Sequence, residues 1–208
     1  MIETIGRKYA RLATNAAVRY PRLWRVFRPL LKWQFDVMAP RWRAMQLEDS
    51  LASYEAGLEA MASPPARALD LGTGTGAGAV AIARRFPQAS VVGVDLSDAM
   101  LDEARRGLPD DLRNRVEFQW ADGAALPFPG ASFDLVAHAN MIPFFDEVAR
   151  VVAPGGYALF AFSGGAGTPI YVPPEKLRAE LERRGFTEFA ELARARGNGL
   201  LARKAVHA

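Results

Sequence analysis

Gly72, Gly74 and Gly76 alternate through the stretch ALDLGTGTGAGAVAIARRFP, between a short apolar run and a helical one, and Asp70 stands directly ahead of them. Alternating glycines let backbone approach a ligand closely, and a following helix offers its free N-terminal amides. Loops of this kind commonly receive phosphate, which the carboxylate of Asp70 would repel. A ligand with an ammonium group and no phosphate reverses that sign, so the acid fits an amino-acid-bearing nucleoside, at least through water. A second acid, Asp95, closes SVVGVDL, and its two acceptor oxygens match a vicinal diol. His138, in FDLVAHA, is the histidine placed near the end of a strand-like run, a candidate general base to be weighed against an ordinary structural histidine. His207 falls in the tail.

These residues need strand ends and helix starts to position them. From Ala66 onward, apolar runs of strand length (RALDLG, SVVGVDL, VEFQWAD, FDLVAHA, YALFAFS) alternate with helical stretches (GAVAIARRF, DAMLDEARRGL, FFDEVARVV). That alternation predicts an α/β fold, a Rossmann-like, doubly wound, mostly parallel seven-stranded sheet. Near the end, PPEKLRAELERRGF reads as a helix, and TEFAELARA and LLARKAV as two strands joined by the glycine-rich turn RGNG. So short a joint admits only an antiparallel hairpin. Ser97 reads as the N-cap of the helix that follows Asp95, Asp134 reads as structural, and Arg150, late in a helix, reads as solvated or favouring the helix dipole. Leu96 and Met100 either sandwich the base of the ligand or belong to the core.

The chain has 208 residues, half of them hydrophobic, enough for one domain with a core and a short extension. We expect residues 1–46 to form a basic helical extension or lid, and residues 47–208 the ligand-binding domain. Through Met45 there are ten basic and two acidic residues, whereas the remainder carries 16 basic and 21 acidic ones. A mildly acidic body gives a nucleic-acid role no electrostatic support. With no cysteine, disulfides, thiolate catalysis and cysteine-bound metal are excluded together. No His and carboxylate cluster has metal-ligand spacing, so no catalytic metal is expected. No apolar run suits a signal peptide or a membrane span, which makes a cytoplasmic protein the expectation.

On these motifs the sequence resembles the class I S-adenosylmethionine-dependent methyltransferases. LDLGTGTG is similar to the family's glycine-rich motif, with Asp70 in its acidic position and Gly72, Gly74 and Gly76 in its glycine positions. VVGVDLSDAML resembles its second motif, which implies that Asp95 accepts both ribose hydroxyls, and WADGAALPF its third, which implies Asp122 near the adenine amino group and the Gly123 amide beside it. Asn140, after the fourth strand, joins the residues assigned to the cofactor. The resemblance implies S-adenosylmethionine as cofactor and an in-line methyl transfer to a small acceptor. Gly72, Gly74 and Ala77 also satisfy a dinucleotide fingerprint, so a nicotinamide-dependent oxidoreductase stays open, as does a non-catalytic nucleoside-binding protein of the same fold.

The acceptor is written less plainly. NMIPFFDEVARVV makes a short connection with an apolar lip where many of the family carry a longer segment, and Trp33, Phe35, Met38 and Trp42 add apolar surface from the N-terminal part. An apolar small molecule or lipid-like acceptor is expected, with QFDVMAPRW as a lid. Pro21, Pro29 and Pro40 should each end or kink a helix. Arg22, Arg25, Arg28 and Lys32 recur along one helical side, with Leu23, Trp24, Val26, Phe27, Leu30 and Leu31 around them. Two readings follow: peripheral contact with an anionic membrane, or an apolar face packed on the domain with solvated arginines. The sequence sets no oligomeric state.

Overall fold

The computed structural model describes residues 2–45 and 49–206. The expected boundary at 46/47 and His207 lie outside the described residues. Two long helices come first, α1 (Ile2–Arg19) and α2 (Trp24–Met45), joined by a 3-10 turn at Pro21–Leu23. A short helix, α3 (Ala52–Glu59), leads into the sheet. There follow β1 (Arg67–Leu71), α4 (Ala77–Arg85), β2 (Ser90–Asp95), α5 (Asp98–Gly107), β3 (Val116–Trp120), β4 (Phe133–Ala139), α6 (Phe145–Val151), β5 (Val152–Phe162), α7 (Pro174–Glu182), β6 (Phe186–Arg194) and β7 (Gly197–Lys204).

The strands lie in the order β3-β2-β1-β4-β5-β7-β6. The first five run parallel, and β7 inserts antiparallel between β5 and β6. This is the expected doubly wound sheet with its hairpin. The turn differs from expectation: Arg194 pairs with Gly197, so Ala195 and Arg196 make the corner and the glycines of RGNG belong to β7. Ala195 takes a φ of 54° there.

Strand alternation sends side chains to two cores. Ala68, Leu135 and Ala137 meet Tyr54 and Leu58 of α3, Ile82 of α4 and Leu101 of α5. Leu69, Val136 and Phe160 meet Phe145 and Val148 of α6 and Leu177 and Leu181 of α7. A third cluster joins Ala13 and Ala17 of α1, Trp24 and Leu31 of α2, and Ile142 and Phe144 of the β4–α6 connection. The N-terminal helices therefore pack over the carboxyl ends of the parallel strands.

Pro21 ends a helix as expected, but α2 runs on through Pro29 and Pro40. Both rings lie on exposed positions, where a carbonyl freed by a missing amide is solvated and a helix can curve toward its core. Packing of the opposite side, with Trp24, Leu31 and Ala39 buried, holds the helix together across them.

Candidate cofactor site

The crevice at the carboxyl ends of β1, β2, β3 and β4 is where open α/β sheets take ligands. Leaving β1, the backbone amides of Gly72 and Thr73 both donate to the Val94 carbonyl of β2, at 2.8 and 2.9 Å. Gly72, Gly74 and Gly76 all have positive φ, and Gly76, at 87°, is the N-cap of α4. A Cβ on Gly72 would lie 2.7 Å from Met141 Sδ, and one on Gly74 would face Trp42 Nε1 at 3.7 Å. The loop therefore presents backbone, and Met141 and Trp42 roof it.

Asp70 is only 2 % exposed. Its carboxylate accepts from Tyr54 Oη at 2.8 Å and from Thr73 Oγ1 at 2.6 Å. A Cβ on Gly78 would come within 2.6 Å of it, so α4 sits directly against the acid. Burial pushes its pKa up to about 6, against hydrogen bonds from Thr73, Tyr54 and the Ala79 amide that favour the charged form. In the structure the acid ties the glycine loop to α3 and α4, so any attraction it exerts on an ammonium group acts from behind the loop. Tyr54 was not singled out in the sequence, because nothing local marks a tyrosine sixteen residues upstream as its partner.

Asp95 ends β2 with Oδ2 accepting from the Gly74 amide and Oδ1 from the Ser97 amide, both at 2.9 Å. Burial raises its pKa, and the amides of Ser97, Gly74 and Leu96 counter that rise. Each oxygen keeps a lone pair, so a diol could still be accepted. Ser97 caps α5 through the Met100 amide, as expected, and its hydroxyl also donates to Asp36 of α2 at 2.6 Å. Met100 is fully buried in the α5 turn, which favours core over ligand contact, and Leu96 joins the cluster beneath α2.

Asp122 is held from a distance. Trp24 Nε1 donates to its Oδ1 at 2.7 Å, Arg28 pairs with Oδ2 at 2.8 Å, and the Ala124 amide adds a bond at 3.0 Å. The Trp24 ring meets Phe144 edge-on at 5.1 Å, and Phe144 also fills the space above Gly123. Trp24 and Arg28 were missed as site residues. The sequence does separate Trp24 from Val26 by about 160° around the helix, but it does not say which side faces the acid.

Two assignments move. Asn140, with a φ of 54°, clamps β4 to β5 through Ser163, donating to its hydroxyl at 3.0 Å and accepting from its amide at 3.0 Å. His138 is fully buried beside Phe160, with ring centroids 4.4 Å apart, and neither ring nitrogen has a hydrogen-bond partner. Burial lowers its pKa to about 3. A neutral imidazole shut inside the sheet cannot reach a substrate proton, so of the two readings of His138 the structural one stands and the candidate base is withdrawn. Asp134 is structural, accepting from the Ala66 and Arg67 amides. Arg150 ties Glu147 to the Leu126 and Phe128 carbonyls. Among the described residues no group of His, Asp and Glu could hold a metal ion.

A family model described as a methyltransferase domain matches residues 68–156, the stretch that contains the loop, Asp95, Asp122 and β4. That stretch is similar to a methyltransferase domain, and it makes up less than half of the chain. It is 39% identical over 138 residues to a demethylmenaquinone methyltransferase of Thermus thermophilus, covering 59% of this chain and 60% of that protein. It is 37% identical over 123 residues to a fatty-acid O-methyltransferase of Mycolicibacterium smegmatis, covering 54% and 41%. The chain thus spans less than two thirds of these relatives. Among solved structures, a Haloferax volcanii methyltransferase in complex with the Trm112 activator superposes with a TM-score of 0.67 at 19% identity, covering 82% of this chain and 97% of that one. A [4+2]-cyclase superposes at 0.65 and 19%, covering 85% and 95%.

Proposed function

We propose that this chain transfers a methyl group from S-adenosylmethionine to a small, apolar or lipid-like acceptor. The observation that carries the reading is that the glycine loop, Asp95 and Asp122 follow the carboxyl ends of the adjacent strands β1, β2 and β3, inside the stretch that matches the methyltransferase domain model. When bound, the cofactor supplies a methyl group on a sulfonium, whose leaving group departs neutral. The loop backbone from Gly72 to Gly76 and the Asp95 carboxylate would hold it. Asp122 joins them once Trp24 and Arg28 yield, so α2 is a lid that closes on the same acid.

Position supplies the rate here. With His138 buried, no histidine among the described residues stands ready to take a proton, so on this reading the acceptor arrives as a competent nucleophile and is aligned with the methyl. Met141, Ile142 and Phe144 present an apolar wall under α2, which excludes water and suits an apolar acceptor. Relatives named for demethylmenaquinone and for fatty acid point the same way.

The neighbouring cyclase favours a second reading, because its fold hosts other chemistry. Calorimetry with S-adenosylmethionine, S-adenosylhomocysteine and NAD, followed by turnover of quinone and fatty-acid acceptors, separates the possibilities. Binding of the first two with methyl transfer supports the proposal. Binding without turnover of any acceptor favours a nucleoside-binding protein, and binding of NAD alone overturns the reading.

A further inference from the structure

The two sides of α2 differ in a way the sequence pattern concealed. Arg28 and Lys32, expected on an outward basic stripe, turn inward: Arg28 pairs with Asp122, and Lys32 with Asp36 and Asp98, at 2.8 and 3.3 Å. The outward side carries Val26, Leu30, Trp33 and Val37, exposed by 70, 46, 62 and 61%. Their steps of four, three and four residues place them on one stripe. Exposed Arg22 and Arg25 stand at the N-terminal end of that stripe, and exposed Arg41 at the other end.

We infer that this outer face of α2 docks on an anionic lipid bilayer. A contiguous exposed apolar stripe marks an interaction surface. An indole at its middle suits the headgroup boundary, where an apolar ring meets a polar edge. Charge selects the partner: the exposed Arg22, Arg25 and Arg41 that flank the stripe attract anionic lipid, while a second copy presenting the same face would bring those arginines against its own. The arginines at the ends of the stripe can lay their stems along the apolar surface and reach headgroup phosphates. No described helix is long and apolar enough to cross a membrane, so the contact is peripheral. Docking goes beyond the proposed reaction and stands without it. Only its use, bringing a lipid-dissolved acceptor to a lid whose inner face closes the site, rests on that reading.

The test is co-sedimentation of the full chain with phosphatidylcholine vesicles, with and without phosphatidylglycerol, at low and high salt. The parent should bind the anionic vesicles and lose them in salt. Leu30→Ser/Trp33→Ser/Val37→Ser and Arg22→Gln/Arg25→Gln/Arg41→Gln should each weaken partition at least tenfold, with S-adenosylhomocysteine affinity and melting temperature kept. Brominated lipid should quench the parent's tryptophan emission, and Trp33→Phe should abolish that quenching, which reads the contact even if a triple variant misfolds. No binding by the parent, or equal binding by the apolar variant, overturns the inference. So does a dimer in sedimentation velocity that the apolar variant dissolves, since a second copy would then cover the stripe. Lost S-adenosylhomocysteine affinity in the parent would instead overturn the reaction and leave docking intact.

Discussion

Asp70 and Asp122 stand near the ends of neighbouring parts of one sheet, yet they are held by opposite means. Asp70 is satisfied by its own neighbourhood, with Thr73 three residues on and Tyr54 sixteen back, all buried. Asp122 is satisfied by Trp24 and Arg28, more than ninety residues away, through a helix that carries an exposed face. An acid locked locally shapes the scaffold. An acid held by a removable helix is available for exchange with a ligand.

Substitution should separate the two most sharply in stability. Asp70→Ala leaves the Tyr54 and Thr73 hydroxyls buried without an acceptor, at about 1 to 3 kcal/mol each, so we expect a loss of about 3 kcal/mol or more and a melting temperature lower by roughly 10 °C. Asp122→Ala frees Arg28, whose side chain is 42% exposed and can be rehydrated, and leaves one buried donor, the Trp24 indole N–H, without its acceptor, so the loss should be about 1 to 3 kcal/mol, below that of Asp70→Ala. Equal melting of the two variants by calorimetry would erase the distinction.

Next in size is ligand binding. Asp95→Ala deletes the acceptor we propose for the ribose and should weaken S-adenosylhomocysteine by about 1.5 to 3 kcal/mol, with Asp122→Ala costing less. Titration calorimetry giving parent affinity for Asp95→Ala would remove the ribose assignment.

The same contrast explains what could be read from the sequence. Apolar runs with period two, glycines with positive φ, and the Ser97 cap are local features, and the sheet, the loop and the start of α5 were legible from them. The duties of Asp70, Asn140 and His138 were not. Each depends on a partner outside its own motif, which no local pattern marks: Tyr54 of the preceding helix for the first, Ser163 for the second, Phe160 and complete burial for the third. The N-terminal helices failed for a related reason. Basic and apolar residues alternate on both sides of α2, and only Asp122, Asp36 and Asp98 decide which arginines and lysines turn inward.

His138 offers a pH test of burial against function. The unfolded chain binds a proton at the ordinary histidine value near 6.5, whereas the folded chain does so only near 3, so stability falls as pH drops through that window, by about 1.4 kcal/mol per unit at most. Asp70, raised to about 6, has the opposite sign: its contribution is present below the unfolded carboxylate value and lost as pH rises through 6. Comparing His138→Leu with the parent cancels Asp70. The variant should be near parent stability at pH 8 and ahead by about 2 kcal/mol at pH 5. A pH-independent difference would mean that His138 is solvated or partnered.

The smallest expected effect bears on the lid. Trp24→Phe keeps a ring against Phe144 but removes the indole donor to Asp122, a bond of about 1 kcal/mol. If the nucleoside and Trp24 compete for Asp122, apparent affinity is reduced by the fraction of molecules whose lid is open, and weakening the closed state raises that fraction. S-adenosylhomocysteine should therefore bind Trp24→Phe about threefold to fivefold more tightly, mostly through faster association because less opening is needed before binding. Arg28→Gln should act in the same direction, and more weakly at high salt, because its exposed ion pair is screened there. Stopped-flow association with both variants measures this. Weaker binding by both, with unchanged melting, would mean that Trp24 and Arg28 stay at Asp122 in the bound state, and α2 would then be a fixed wall of the site.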